Sequence, residues 1–266
     1  MFGNYDSYLG GKNTEFYPLI CFMDCLFVGQ NIIELSSIDS TNTYLTNLSQ
    51  SKNLAEGTVV LANQQNSGKG QRNKSWQSEA GKSLCASILL KPMVDLRQQF
   101  KFNKFIALSV CQAFNYYQIK ASIKWPNDIF IENKKIAGIL IENTIRGDKI
   151  DKSVIGIGIN VNNDTQAIPN ATSLSQHLKL HPSIKSLLAV VCQNIEKNYF
   201  LFKKDSPLIN KLYHDNLFRR GEHQLFSKDG ELFDGTIESV NEEGQLVISV
   251  KEEQEFYNMG EIEFKI

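Results

Sequence analysis

Lys135-Ile136-Ala137-Gly138-Ile139-Leu140-Ile141-Glu142 and Ile155-Gly156-Ile157-Gly158-Ile159-Asn160-Val161-Asn162 are the stretches on which the fold turns. Ile136 to Ile141 and Val154 to Val161 read as buried strands, and no helical pattern separates them. Val59-Val60-Leu61-Ala62 and Leu84 to Leu90 read the same way. Helical periodicity is confined to Lys101–Tyr117 and Ser183–Phe202, the second with Ser183 as its N-cap. Strand following strand without an intervening helix predicts an α+β fold, a mixed sheet with helices, rather than a doubly wound sheet. Small residues among β-branched ones mark bulges or close approach by a ligand. Gly156-Ile157-Gly158 is no dinucleotide fingerprint, because no helix opens after it.

Beyond Gly221 the pattern changes. Leu246, Ile248 and Val250 alternate with Val247 and Ser249, and Ile262, Phe264 and Ile266 alternate with charged residues. Turn signals fall at Asp229-Gly230, Asp234-Gly235 and Asn241–Gly244. Residues 221–266 therefore read as a small β-barrel that needs the main domain for stability. The expected organisation is an N-terminal extension at 1–30, a main domain at 31–220 and this module. The extension is either a surface segment or a start assigned too far upstream, with Met23 an internal candidate.

Charge divides along the same line. The chain of 266 residues carries 28 Lys+Arg and 29 Asp+Glu. The module holds 3 against 12, a net of −9, which leaves 25 against 17, a net of +8, for residues 1–220. A basic body suits a polyanion such as a nucleotide, and an acidic tail does not suit nucleic acid. Two solvated surfaces would give the same totals. At 42% apolar and 21% charged the composition is that of a globular protein. No run approaches the roughly 18 apolar residues of a membrane span. Cys21, Cys25, Cys85, Cys111 and Cys192 read as reduced thiols of a cytoplasmic protein, without the spacing of a metal site.

Three further segments carry chemistry-bearing side chains. Asp39-Ser40-Thr41-Asn42 stands at a strand-to-helix junction, where such residues cap free N–H groups or hydrogen-bond a polar ring. Gln65-Asn66-Ser67-Gly68-Lys69-Gly70-Gln71-Arg72-Asn73-Lys74-Ser75-Trp76 holds three cations and no acid after Gln65. It is either an exposed basic loop or a phosphate cradle, and it is not a P-loop. Lys124-Trp125-Pro126-Asn127-Asp128 puts a lysine among apolar neighbours, where an anionic ligand would supply its partner; otherwise it reaches the surface beside a core tryptophan.

Taken in order, these segments resemble the biotin protein ligases, the bacterial biotin–[acetyl-CoA carboxylase] ligases. The resemblance spans roughly residues 32–266 and extends to the SH3-like module. Lys69 stands where the family has its first loop arginine and Asn73 where it has the last glycine. Lys69 keeps the charge and loses the bidentate fork, and Asn73 tolerates a left-handed backbone less freely than glycine. A DNA-binding helix-turn-helix of about 60 residues has no room, so no DNA binding is expected.

The resemblance implies attack of the biotin carboxylate on the α-phosphorus of ATP, giving biotinyl-AMP. A lysine of a biotin carboxyl carrier protein then takes the biotinyl group. Lys124 is the implied catalytic residue, bridging carboxylate and α-phosphate. Ser40, Thr41, Asn42, Gln65, Lys69, Gly70, Gln71 and Lys124 are the implied biotin site. Arg72, Lys74, Trp76, Asn127 and Asn160 are the implied ATP site, with Trp76 packed beneath the loop. Mg²⁺ is expected on the phosphates, with no protein ligand assigned. No membrane association is expected, and a homodimer is left open. A lipoate–protein ligase of the same fold, a non-catalytic biotin sensor and a nucleic-acid-binding module are the rival readings.

Overall fold

The computed structural model describes residues 24–178 and 180–265. In chain order it contains β1 (Ile32–Leu35), α1 (Thr41–Ser51), β2 (Val59–Ala62), β3 (Gly68–Lys69), β4 (Ser75–Trp76), β5 (Ser83–Leu90), β6 (Val94–Asp95) and α2 (Gln99–Ala113). There follow β7 (Ser122–Lys124), β8 (Asp128–Ile131), β9 (Lys134–Arg146), β10 (Lys149–Asn160), α3 (Leu174–His177), α4 (Ile184–Lys203) and α5 (Pro207–Asp215). The last part holds β11 (His223–Lys228), β12 (Glu231–Val240), β13 (Leu246–Val250), β14 (Glu253–Tyr257) and β15 (Glu263–Phe264). The architecture is α+β. Its main sheet runs β1-β2-β5-β10-β9-β8-β7, with β1 parallel to β2 and the remaining neighbours antiparallel.

The period of two along β5 explains the two faces of this sheet. Leu84, Ala86, Ile88 and Leu90 enter the large core, while Leu89 enters a smaller one with Leu45, Val60 and Val154 under α1. Each large aliphatic side chain buried here stabilises by about 1.5–3 kcal/mol. On the large-core face, Phe102 and Phe105 of α2 pack on Phe202 of α4, with ring centres 5.6 and 5.0 Å apart. The α1 face is different. Its register brings Ser87 opposite Gly156, Gly156 opposite Leu140 and Gly158 opposite Gly138. Small side chains there leave a hollow that α1 covers only in part.

Ser183 caps α4 as expected, accepting from the Ser186 amide. Cys25 and Val28 are buried in the large core, and the amides of Leu26, Phe27 and Val28 all donate to Glu196 of α4. The end of the expected N-terminal extension is thus part of the domain body. Residues 1–23, with Cys21 and Met23, lie outside the described residues, as does Ile266.

The last five strands form a separate sheet ordered β14-β13-β12-β11-β15. Asp229-Gly230 and Asn241–Gly244 do turn the chain. Asp234-Gly235 does not, because the β11–β12 ladder continues through it, Leu225 opposite Asp234 and Gln224 opposite Gly235. Hydrogen bonds from Lys104, His214 and Trp125 are among those that fasten this sheet to the main domain. The buried Lys104 ammonium donates to the Val240 carbonyl and to Asn210. His214 Nε2 accepts from the Val240 amide, and Trp125 Nε1 donates to the Gly244 carbonyl. Among the described residues no helix is long and apolar enough to cross a membrane.

Candidate functional site

The hollow on the α1 face opens into a cavity of about 640 Å³, within the usual range for small-molecule sites. Every expected site residue lines it except Asn160: Ser40, Thr41, Asn42 and Gln65 on one side, Lys69, Gly70, Gln71, Arg72, Lys74 and Trp76 from the loop, and Lys124 and Asn127 from the β7 end. Asn160 stands apart. It is buried, its amide nitrogen donating to the Thr172 carbonyl and its oxygen accepting from Asn163.

Ser40 is the N-cap of α1, its hydroxyl accepting from the Thr43 amide. The next two residues start a polar network across four elements. Gln65 Oε1 accepts from the amide and hydroxyl of Thr41 at 2.8 and 3.0 Å. Ser87 Oγ lies 2.7 Å from Thr41 Oγ1 and 2.6 Å from Asn42 Oδ1. Asn42 in turn donates to Glu142 at 2.8 Å. This fixes the hydroxyl and amide groups before any ligand arrives. From the first turn of α1, Asn42 thus reaches across to β9. Ser87, which no motif marks, is the joint of the network.

The glycines of β10 serve these side chains. A Cβ at Gly156 would lie 2.4 Å from Asn42 Oδ1, and one at Gly158 2.5 Å from the Trp76 indole. The close approach expected at these positions is therefore made by Asn42 and Trp76. Trp76 packs against Gly158 and Gly138 at the base of its loop.

That loop is a hairpin. Gly68 pairs with Trp76 and Lys69 with Ser75, and the Gly70 amide donates to the Lys74 carbonyl at 2.7 Å. Arg72, at φ 54°, takes the left-handed turn at its tip, a conformation uncommon outside glycine and concentrated at functional sites. Its guanidinium donates to the Met259 carbonyl, in the turn between β14 and β15. Lys69 and Lys74 are exposed. Asn127 holds the β7–β8 turn against β9 by donating to the Ile139 carbonyl.

Lys124 lies between Phe130 and Phe264, 5.4 and 4.6 Å from the ring centres. Burial pushes its ammonium below the ordinary lysine range; Asp128 counters this, while Lys135 and Lys74 add to it. Asp128 is itself paired with Lys135 at 2.6 Å. The cavity thus holds five cations, Lys69, Arg72, Lys74, Lys124 and Lys135, against Asp128 and Glu263. Such a site is arranged to receive an anion. Met259, Gly260, Ile262, Glu263 and Phe264 also line it. The sequence gives no sign that the second sheet closes the site.

Residues 34–160 match the profile of the biotin/lipoate A/B protein ligase family. The bifunctional ligase/repressor BirA of Bacillus spizizenii is 37% identical over 155 residues, covering 56% of this chain and 47% of that protein. The biotin–[acetyl-CoA-carboxylase] ligase of Paracoccus denitrificans is 30% identical over 130 residues, 48% of this chain and 53% of that one. The chain thus spans about half the length of these relatives. Among solved structures, biotin protein ligase from Aquifex aeolicus in complex with biotin and ATP superposes with a TM-score of 0.73 at 28% identity, over 89% of this chain and 99% of that one.

Proposed function

Because residues 34–160 are a domain of the biotin/lipoate A/B protein ligase family, we propose that this protein activates biotin with ATP and transfers it to a lysine of a biotin carboxyl carrier protein. The observation that carries the reading is the convergence of two different environments in one cavity. A neutral, pre-organised hydrogen-bonding corner at Ser40, Thr41 and Gln65 suits the ureido ring of biotin. The cations around Lys124 suit its carboxylate and a triphosphate.

In the first step a carboxylate oxygen attacks the α-phosphorus and pyrophosphate leaves. In the second, the acceptor amine attacks the acyl carbon and AMP leaves. Both nucleophiles come from substrates, so the protein's task is to bring like charges together and exclude water. Lys124, whose burial disfavours its charged form, has that form favoured between two anions and bridges them. Trp76 supports the loop from below, and Arg72 and Lys74 face the phosphates. Phe264 and Ile262 close the far wall. Mg²⁺ fits as a companion of the triphosphate. Among the described residues no group of three or more His, Cys, Asp or Glu converges, and Asp128 is engaged by Lys135.

Incubation with ATP, biotin and a biotin carboxyl carrier domain tests the reading. Biotin should appear on one lysine of the carrier, detected by intact mass, with release of AMP. An unmodified carrier after prolonged incubation with active-site concentrations of protein overturns it.

A further inference from the structure

The small sheet reaches Lys124 from two directions. Phe264 of β15 lies over the ammonium inside the cavity. The second contact comes from behind, through Trp125, the next residue in the chain. Trp125 is buried, and its Nε1 donates to the Gly244 carbonyl at 3.0 Å. Gly244 belongs to the β12–β13 turn, which does not line the cavity. Trp125 itself does line it, between Lys124 and Pro126.

That turn sits in a socket on the main domain. Gly244, at φ 91°, rests on Phe100 of α2, where a Cβ would lie 2.4 Å from the ring. Asn241 closes the turn, its Oδ1 accepting from the Gln245 amide at 2.8 Å. At the foot of the turn both backbone groups of Val240 are held. Its carbonyl accepts from Lys104 at 2.9 Å, and its amide donates to His214 Nε2 at 3.0 Å. Past the turn, β13 pairs with β14, Leu246 opposite Tyr257, and β14 leads into residues 259–264, which wall the cavity. A shift at the turn is therefore carried through this ladder to the wall.

We propose that Trp125 is a positioning residue for Lys124: its bond to the Gly244 carbonyl sets where the small sheet rests, and hence where Phe264 meets the ammonium. This rests on the ligase reading above. Trp125 makes and breaks no bond of the substrates and acts through the lysine beside it. Removing the indole N–H leaves a buried carbonyl without its donor, which costs more than the bond itself contributes. The sheet then yields at the turn, and Phe264 leaves its place over Lys124. The ring-binding corner at Ser40, Thr41 and Gln65 is built on α1 and the β2–β3 connection, so biotin binding is spared.

Trp125→Phe keeps an aromatic ring and removes the donor. In the full-length chain it should lower the kcat of biotin-dependent ATP–pyrophosphate exchange at least tenfold, with the Kd for biotin, measured by calorimetry, within about threefold of wild type. Phe264→Ala separates positioning from general damage. The loss of about fivefold that it causes alone should shrink to less than twofold on top of Trp125→Phe, because the contact is already broken. Lys104→Met frees the same turn from α2, is expected to show the same pattern, and guards against misfolding of the first variant. Exchange within twofold of wild type in both Trp125→Phe and Lys104→Met overturns the assignment. So does an undiminished Phe264→Ala loss on top of Trp125→Phe, or a fall in biotin affinity as large as the fall in exchange. Absence of exchange in the unsubstituted chain overturns the underlying reading instead.

Discussion

The ammonium of Lys124 lies 4.6 Å from the centre of the Phe264 ring, so β7, the edge strand of the main sheet, and β15, the edge strand of the small sheet, meet across the cavity. A cation over an aromatic face regains part of what desolvation costs it, about 1 kcal/mol in a partly buried setting. Phe264 is a positioning residue in this account. Phe264→Ala should lower ATP–pyrophosphate exchange about fivefold, corresponding to that energy, while Phe264→Tyr restores it. An alanine variant with unchanged exchange removes the contact's role.

Lys104 gives a pH-dependent prediction. Burial pushes its ammonium down to about 8, with Glu242 opposing and Lys101 reinforcing the shift. An unfolded lysine titrates near 10.4. Between those values the unfolded chain holds a proton that the folded chain has released, so this residue's contribution to stability grows as pH rises from about 8 to about 10.4. Urea midpoints measured across that window should climb less steeply, or fall more, in Lys104→Met than in wild type. Parallel pH profiles would contradict the assignment.

Gly158 tests the seat of Trp76. A side chain at this position would enter the indole, since even a Cβ lies 2.5 Å from it. Gly158→Val should displace Trp76, shift the tryptophan emission to the red and raise the KM for ATP at least tenfold. An emission spectrum and KM matching wild type would show that the indole is not held there.

Much of this was legible in the residues, and the exceptions have physical causes. The strands at 59–62, 84–90, 136–141 and 154–161 announced themselves because buried strands need continuous apolar runs. Ser183 could be read as a cap because a helix start needs a side-chain acceptor. Asp234-Gly235 misled because a turn dipeptide can also sit in a strand when cross-strand pairing continues through it. Ser87 was invisible because a serine in an apolar strand has no local signature; only the register beside Asn42 and Thr41 gives it a role. The glycines of β10 signalled close approach without saying by what. Asn160 carried a motif position, yet Thr172 and Asn163 occupy its amide. The contribution of Ile262 to Phe264 depends on how two sheets dock, which no local pattern encodes.

The basic hairpin offers a fourth prediction. Lys69 and Lys74 are exposed, and Arg72 is tethered to Met259. Trypsin should cut after Lys69 or Lys74 in the free protein, and at least fivefold more slowly with biotin and ATP present, as the loop settles on its ligands. Equal rates in both states would argue against closure.

In the proposed reaction the Lys124 ammonium draws two anions together. Biotin-dependent ATP–pyrophosphate exchange in Lys124→Ala, with folding verified by circular dichroism, tests it most directly. Exchange should fall by at least about 100-fold, the scale seen when a pre-organised charge or donor is removed from a reacting centre. Exchange close to the wild-type rate in a folded Lys124→Ala protein would contradict it.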